Sequence, residues 1–166
     1  MAGSLVDRMV GAAFLNVGTY EEVEHDDTAT GQAAAVVAMV AVATAIGGWN
    51  FGVTAVVGGA VSALVKWLIW AGITFLVGTK LFGGTATWGE LLRTLGFAQA
   101  PGILAVLALV PVLGWGVLLV VSLWVAVAAF IAIRQALDIG NGKTFLTVLV
   151  GLLFSLVLSG ILPGSL

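Results

Sequence analysis

The chain has 166 residues, 61% hydrophobic and 8% charged, with a formal net charge of −2, whereas soluble domains carry about 25% charged residues. Fourteen charged side chains cannot cover a water-soluble domain of this size, and the six basic ones are scattered singly, so the basic footprint that nucleic acid requires is missing. Cysteine is absent, which removes disulfides and thiolate chemistry.

Taken in chain order, Ser4 to Asn16 places Leu5, Val6, Met9, Val10, Ala13 and Phe14 near helical spacing, with Asp7, Arg8 and Asn16 away from them. This predicts a short helix lying in the membrane interface or a plug packed under a bundle. Asp7 and Arg8 interrupt the apolar run that a signal peptide would need, so the first span is expected to be retained. Thr19-Tyr20-Glu21-Glu22 has the spacing of a capping box. The stretch Glu21 to Asp27 holds five carboxylates and the sole histidine, yet neither calcium-loop nor zinc spacing. It reads as a solvated acidic cap, with no metal and no cofactor.

Five windows are long and apolar enough to cross a bilayer core of about 30 Å. They run from Thr30 to Trp49, Val56 to Phe82, Trp88 to Val110, Leu113 to Leu137, and Thr144 to Leu162. Thr87-Trp88-Gly89-Glu90 forms a second capping-box pattern at the start of the third. Pro101 predicts a break between Gly96 and Gly102, and Pro111 to Gly114 a tight hairpin into the fourth. Residues 1–29 therefore read as a cytoplasmic amphipathic and acidic segment, and residues 30–166 as one membrane domain. The predicted fold class is an all-α integral membrane bundle of five transmembrane helices with a short N-terminal interfacial amphipathic helix.

With the N-terminus cytoplasmic, Arg8, Lys80, Arg93, Arg134 and Lys143 fall on that side and the opposite loops receive no basic residue, a clear positive-inside asymmetry. The C-terminus then lies outside. Trp49, Phe51 and Trp115 would form an outer aromatic belt, and Phe82 and Trp88 an inner one.

Lys66 stands well inside the second window, where lysine costs about 2.5–3.5 kcal/mol on insertion scales. It would line a polar cavity or, if the helix begins near Gly59, snorkel to the surface. Lys80, Glu90, Arg93, Gln99, Arg134, Gln135 and Asp138 gather at the inner ends of spans two to four, where Glu90 and Arg93, three apart, share a helix face. This group would be either an ion-pair cluster fixing helix register or a polar vestibule. Small residues repeat every four positions at Ala34, Ala38, Ala41 and Ala45, at Ala128, Ala132 and Ala136, and at Gly151, Ser155 and Ser159, a pattern that lets helices approach closely within a chain or between chains. Trp67, Trp70 and Trp124 read as packing bulk. Enzyme signatures are missing: no His-Glu-x-x-His, P-loop or Gly-x-Ser-x-Gly pattern occurs.

Several stretches carry a family resemblance. Tyr20-Glu21-Glu22-Val23-Glu24-His25-Asp26 with Ala29-Thr30-Gly31-Gln32-Ala33 resembles the pre-membrane region of prokaryotic proteins in the Yip (Ypt/Rab-interacting protein) domain family. Leu76 to Gly84, Glu90-Leu91-Leu92-Arg93, Gly96-Phe97-Ala98-Gln99-Ala100-Pro101 and Arg134-Gln135-Ala136-Leu137 look like its middle and fourth-span segments. The resemblance implies a five-span bundle with a cytoplasmic N-terminus, in a prokaryotic plasma membrane for this branch. For eukaryotic relatives it implies vesicle traffic with Rab-type GTPases; the Asp-Leu-Tyr-Gly-Pro-like element of those relatives is absent before Thr30, and GTPase binding is not carried over. Two functional readings follow. The first is a non-enzymatic membrane-organising or adaptor module, in the bilayer as a homo-oligomer or with other membrane proteins. The second is a small transport, channel or lipid-handling protein using a polar path near Lys66, Gln99 and Pro101.

Overall fold

A computed structural model describes residues 3–161, with side chains through Leu153. It is helical throughout, without a strand among the described residues. Seven α-helices follow one another: α1 (Leu5–Ala13), α2 (Val17–His25), α3 (Ala29–Gly47), α4 (Val53–Leu76), α5 (Trp88–Phe97), α6 (Gly114–Leu137) and α7 (Asn141–Ile161). A π-helical turn, Val77–Leu81, extends α4, and a 3₁₀ segment, Ala100–Leu109, extends α5.

Four of these stretches are long and apolar enough to cross a membrane: Ala29–Gly47, Val53–Leu81, Trp88–Leu109 and Gly114–Leu137. Helix α7 adds a further, shorter apolar stretch, Asn141–Leu153 among the described residues; the end of the fifth predicted span, with Ser155 and Ser159, lies outside the residues whose side chains are described. The helices thus form the expected all-helical membrane bundle. The second begins three residues before the predicted start, at Val53, which puts Lys66 thirteen residues along it, about 20 Å from its first turn at 1.5 Å per residue.

Span three is the core. Its apolar window is 67% buried, against 17–28% for the other three. It is also the broken one: α5 stops at Phe97, and a ten-residue 3₁₀ segment resumes at Ala100 with Pro101 in its first turn. Proline lacks the amide that would continue the ladder, and 3₁₀ runs beyond three or four residues are uncommon. Close packing by α3 holds this irregular backbone in place. A Cβ on Gly47 would stand 2.0 Å from the Ala105 carbonyl oxygen, and one on Gly96 would stand 2.6 Å from Ala33 Cβ. Ala128, Ala132 and Ala136 of α6 are buried within the chain, so that stripe is used for intramolecular contacts, and Gly151 of α7 abuts the Trp70 ring.

Helices α1 and α2 form a cap on one end of the bundle, and their starts follow local chemistry. Ser4 caps α1 through a reciprocal box with Asp7, and the Asn16 side chain caps α2 by accepting from the Gly18 amide at 2.9 Å. This corrects the expectation at Thr19: its hydroxyl starts no helix, because α2 has begun two residues earlier and Thr19 packs against Gly11. The Thr87 box is present as expected, with the Thr87 amide donating to Glu90 at 2.9 Å and the Glu90 amide to Thr87 Oγ1 at 3.3 Å. All charged residues but Lys66 lie at the capped end or on the cap itself. At the opposite end the Trp49, Phe51 and Trp115 rings are exposed, the first two edge-to-face at 6.3 Å.

Candidate functional site

The cap is organised by two arginines. Arg8 is 1% exposed. Its Nε and Nη2 donate to Glu22 Oε1 at 3.1 and 2.9 Å, its Nη2 also reaches Asp26, and its Nη1 donates to Gln32 Oε1 at 2.9 Å. Glu22 on α2 and Asp26, the residue that caps its end, meet the guanidinium fork together. The Gly3 amide and Arg8 hold the Glu22 carboxyl below its ordinary range, and Thr28 and Arg8 hold Asp26 down to about 2. The second arginine, Arg93 of α5, is 5% exposed; it donates to the carbonyls of Val23 and Glu24 and pairs with Asp27 at 2.9 Å. A cation on the last carbonyls of a helix satisfies acceptors that have no partner in the helix itself.

The acidic stretch is solvated at Glu21, Glu22, His25 and Asp27, as expected, and in addition Glu22, Asp26 and Asp27 are the counter-charges of Arg8 and Arg93. Arg8 faces away from Val6, Val10 and Phe14 as expected, but it packs into the protein rather than into water, because two carboxylates and an amide replace its water shell. Arg8, Glu22, Asp26, Asp27 and Gln32 were missing from the predicted cluster, although the four-residue spacing of Glu22 and Asp26 was a usable signal for an arginine seat.

The predicted inner cluster is only partly a unit. Glu90 caps α5, and Arg93 turns away from it to α2. Gln135 Nε2 donates to Glu21 at 3.2 Å, Thr85 Oγ1 to Asp138 at 3.1 Å, and Arg134 to Asn141 and Gln135. Lys143 Nζ donates to the Phe82 carbonyl at 2.9 Å, tying α7 to the end of the π turn, while Lys80 on that turn is exposed. These contacts bring the ends of α2, α5 and α6 together. Lys66, Gln99 and Pro101 stand apart, farther along their helices from the capped end, Lys66 exposed, Gln99 half-buried and Pro101 buried. Lys66 and Gln99 line one groove of about 640 Å³ between α3 and α4, together with Thr44, Asn50 and Ser62. Gln99, at the break between α5 and the 3₁₀ segment, also lines a second groove of about 320 Å³ with Trp70 and Ser122.

Two tryptophans read as bulk act as tethers as well. Trp67 Nε1 donates to the Leu92 carbonyl at 3.1 Å, and Trp124 Nε1 to the Ala13 carbonyl at 2.8 Å, pinning the end of α1 to α6. Helix α1 is thus fixed by its Arg8 face while Val6, Val10 and Phe14, each four residues from the last, remain 65%, 49% and 76% exposed. The packed face is the one the plug expectation describes, and the outward apolar face is the one an interfacial helix would need. Between α1, the 3₁₀ segment and α6 runs an apolar furrow of about 430 Å³ past Met9, Pro101 and Trp124.

A helical bundle of apolar spans with its charges gathered at one capped end defines an integral membrane protein. The Yip1 domain model matches residues 18–162, and the chain belongs to that family. The match begins in α2, so the acidic helix is part of the family region while α1 precedes it. No curated protein and no solved structure matches the chain.

Proposed function

We propose that the protein is a non-enzymatic membrane-organising and adaptor module of the Yip family, which holds an amphipathic helix in the cytoplasmic leaflet and presents a charged cap to partners. The observation that carries this reading is α1: Val6, Val10 and Phe14 face outward on a helix that Arg8 and Trp124 fix to the bundle. An exposed apolar helix face enters the boundary between headgroups and acyl chains, and a wedge in one leaflet favours curvature. The basic-residue asymmetry supports a cytoplasmic cap. The test is reconstitution into large phosphatidylcholine vesicles viewed by electron microscopy. The parent is expected to give tubules or small vesicles, and a Val6→Ser/Phe14→Ser double variant to leave large round ones; round vesicles with the parent refute the reading.

A second reading, transport or lipid handling, is favoured by the groove that Lys66 and Gln99 share, because irregular backbone at membrane depth is tolerated where it lines a cavity. Ion flux and lipid scrambling in liposomes, with Lys66→Leu and Gln99→Leu beside the parent, test it. Absence of both activities from the parent ends it.

A further inference from the structure

The groove between α3 and α4 carries polar side chains well into the depth of the membrane. Ala41 and Ala45 of α3 with Gly58, Gly59 and Ala63 of α4 leave room along it, and its volume of about 640 Å³ is that of a small-ligand site, about 300–1,000 Å³. Asn50 stands at its mouth, in the connection between the two helices and beside the exposed Trp49 and Phe51 rings. Ser62 and Lys66, four apart, lie nine and thirteen residues past Val53 on α4, about 14 and 20 Å along it at 1.5 Å per residue. Gln99 enters at the break of span three. Polar side chains thus reach the middle of an apolar core about 30 Å thick.

Three of them have no partner. Among the described residues nothing hydrogen-bonds the Asn50 amide, the Ser62 hydroxyl or the Gln99 amide, whereas Thr44 on the same lining donates to the Val40 carbonyl at 2.9 Å. Ser62 and Gln99 are half-buried, yet no fully buried side-chain polar atom of the described residues lacks a partner, so the hydroxyl and the amide open onto free space. Lys66 has an interaction of its own within the chain and adds positive charge. Polar groups at membrane depth are costly unless paired, and three that converge on one groove call for a polar guest.

The class of guest follows from the lining and its flank. Val57, Val61 and Val65, each next to a lining residue of α4, are exposed, so the groove is reached sideways from the bilayer. Asparagine, glutamine and serine all donate, and among the described residues no acidic side chain lines the groove. The matching ligand therefore offers several acceptor oxygens and negative charge, as a phosphodiester does; a zwitterionic headgroup would bring an ammonium with no carboxylate to meet. We propose that the groove between α3 and α4 holds the phosphodiester of an anionic glycerophospholipid between Ser62, Lys66 and Gln99, with the acyl chains left in the bilayer beside α4. This rests on the lipid-handling reading above and names its ligand. Its test reads occupancy rather than movement, so selective binding and scrambling can each fail alone.

The full-length protein in detergent micelles is given dioleoyl phosphatidylglycerol, dioleoyl phosphatidylcholine or dioleoylglycerol at equal concentration, and bound lipid is read by native mass spectrometry. Phosphatidylglycerol is expected to exceed each of the others in occupancy at least fivefold, and Ser62→Ala/Gln99→Leu to lower its occupancy at least fivefold, with Lys80→Gln, at the capped end, within twofold of the parent. Equal occupancy by the three lipids, parent-like occupancy in the double variant, or an equal loss in Lys80→Gln overturns the proposal. Inorganic phosphate at 10 mM must displace the lipid no more than sodium chloride of equal ionic strength; greater displacement makes the occupant a soluble anion and also overturns it. A measurement on the parent keeps the test independent of whether the variant folds: phosphatidylglycerol with a photoreactive headgroup must cross-link to α4 between Gly58 and Lys66 or beside Gln99, and the absence of adducts there overturns it.

Discussion

Arg8 and Glu22, fourteen residues apart on different helices, meet through two hydrogen bonds from the guanidinium to one carboxylate oxygen, at 3.1 and 2.9 Å. Because Arg8 is 1% exposed, this contact decides whether α1 stays folded against the bundle. Glu22 is half-exposed, so the cost of removing one partner falls below the about 3–5 kcal/mol of a fully buried pair. Arg8→Leu is expected to speed amide hydrogen exchange throughout α1 and the first turns of α2 while leaving α6 protected, and Arg8→Leu/Glu22→Leu to recover part of the loss. Parent-like exchange in the single variant would show that the clasp holds nothing.

The second fastening of α1 is the Trp124 indole on the Ala13 carbonyl, 2.8 Å away. Trp124→Phe keeps a ring and removes the donor, so the loss should be near the net worth of one hydrogen bond, about 1 kcal/mol. Exchange of Ala12 to Leu15 should quicken by about fivefold, less than in Arg8→Leu.

Acid and base act on the cap with opposite signs. Asp26 is depressed from 3.8 to about 2, so the stability it contributes is complete above pH 4 and disappears as pH falls toward 2. Glu24 is raised from 4.5 to about 7; its penalty is absent below pH 4.5, grows as pH rises toward 7 and is constant above. Protection of α2 against hydrogen exchange, corrected for intrinsic rates, should pass through a maximum near pH 4–5. Glu24→Gln should remove the part of the decline that lies below pH 6, leave the acid limb unchanged, and leave above pH 6 the smaller loss from His25, which the Glu21 carbonyl and neighbouring carboxylates hold above its ordinary value.

Close helix approach at the broken span predicts a contrast between glycines. At Gly47 a methyl group would strike the Ala105 backbone oxygen, whereas Gly58 of α4 has open space around its Cα. Gly47→Ala should lower the thermal midpoint in detergent by several degrees, with Gly58→Ala within a degree of the parent or slightly above it, since alanine favours helix by about 1 kcal/mol.

The spans were legible because hydrocarbon imposes long apolar windows, and the Pro101 break and Thr87 box because proline and capping chemistry act locally. The cap was less so. Arg8, Glu22 and Gln32 come from three helices, and a side chain that reads as polar by type is buried once partners from elsewhere replace its water. Glu90 and Arg93, neighbours by helix spacing, were drawn apart because the open carbonyls of α2 and the Thr87 amide were better partners. Lys66 and Gln99 share a groove only because span three breaks beside α4, and no periodicity in either segment records that.

The most direct test of the wedge uses the absence of native cysteine. Single cysteines at Asp7, Val10 and Phe14 are labelled with an environment-sensitive fluorophore in the reconstituted protein and quenched by lipids spin-labelled at known depths. The account predicts blue-shifted emission and acyl-chain quenching at Val10 and Phe14, with water-like emission at Asp7. Water-like emission at all three positions would contradict it.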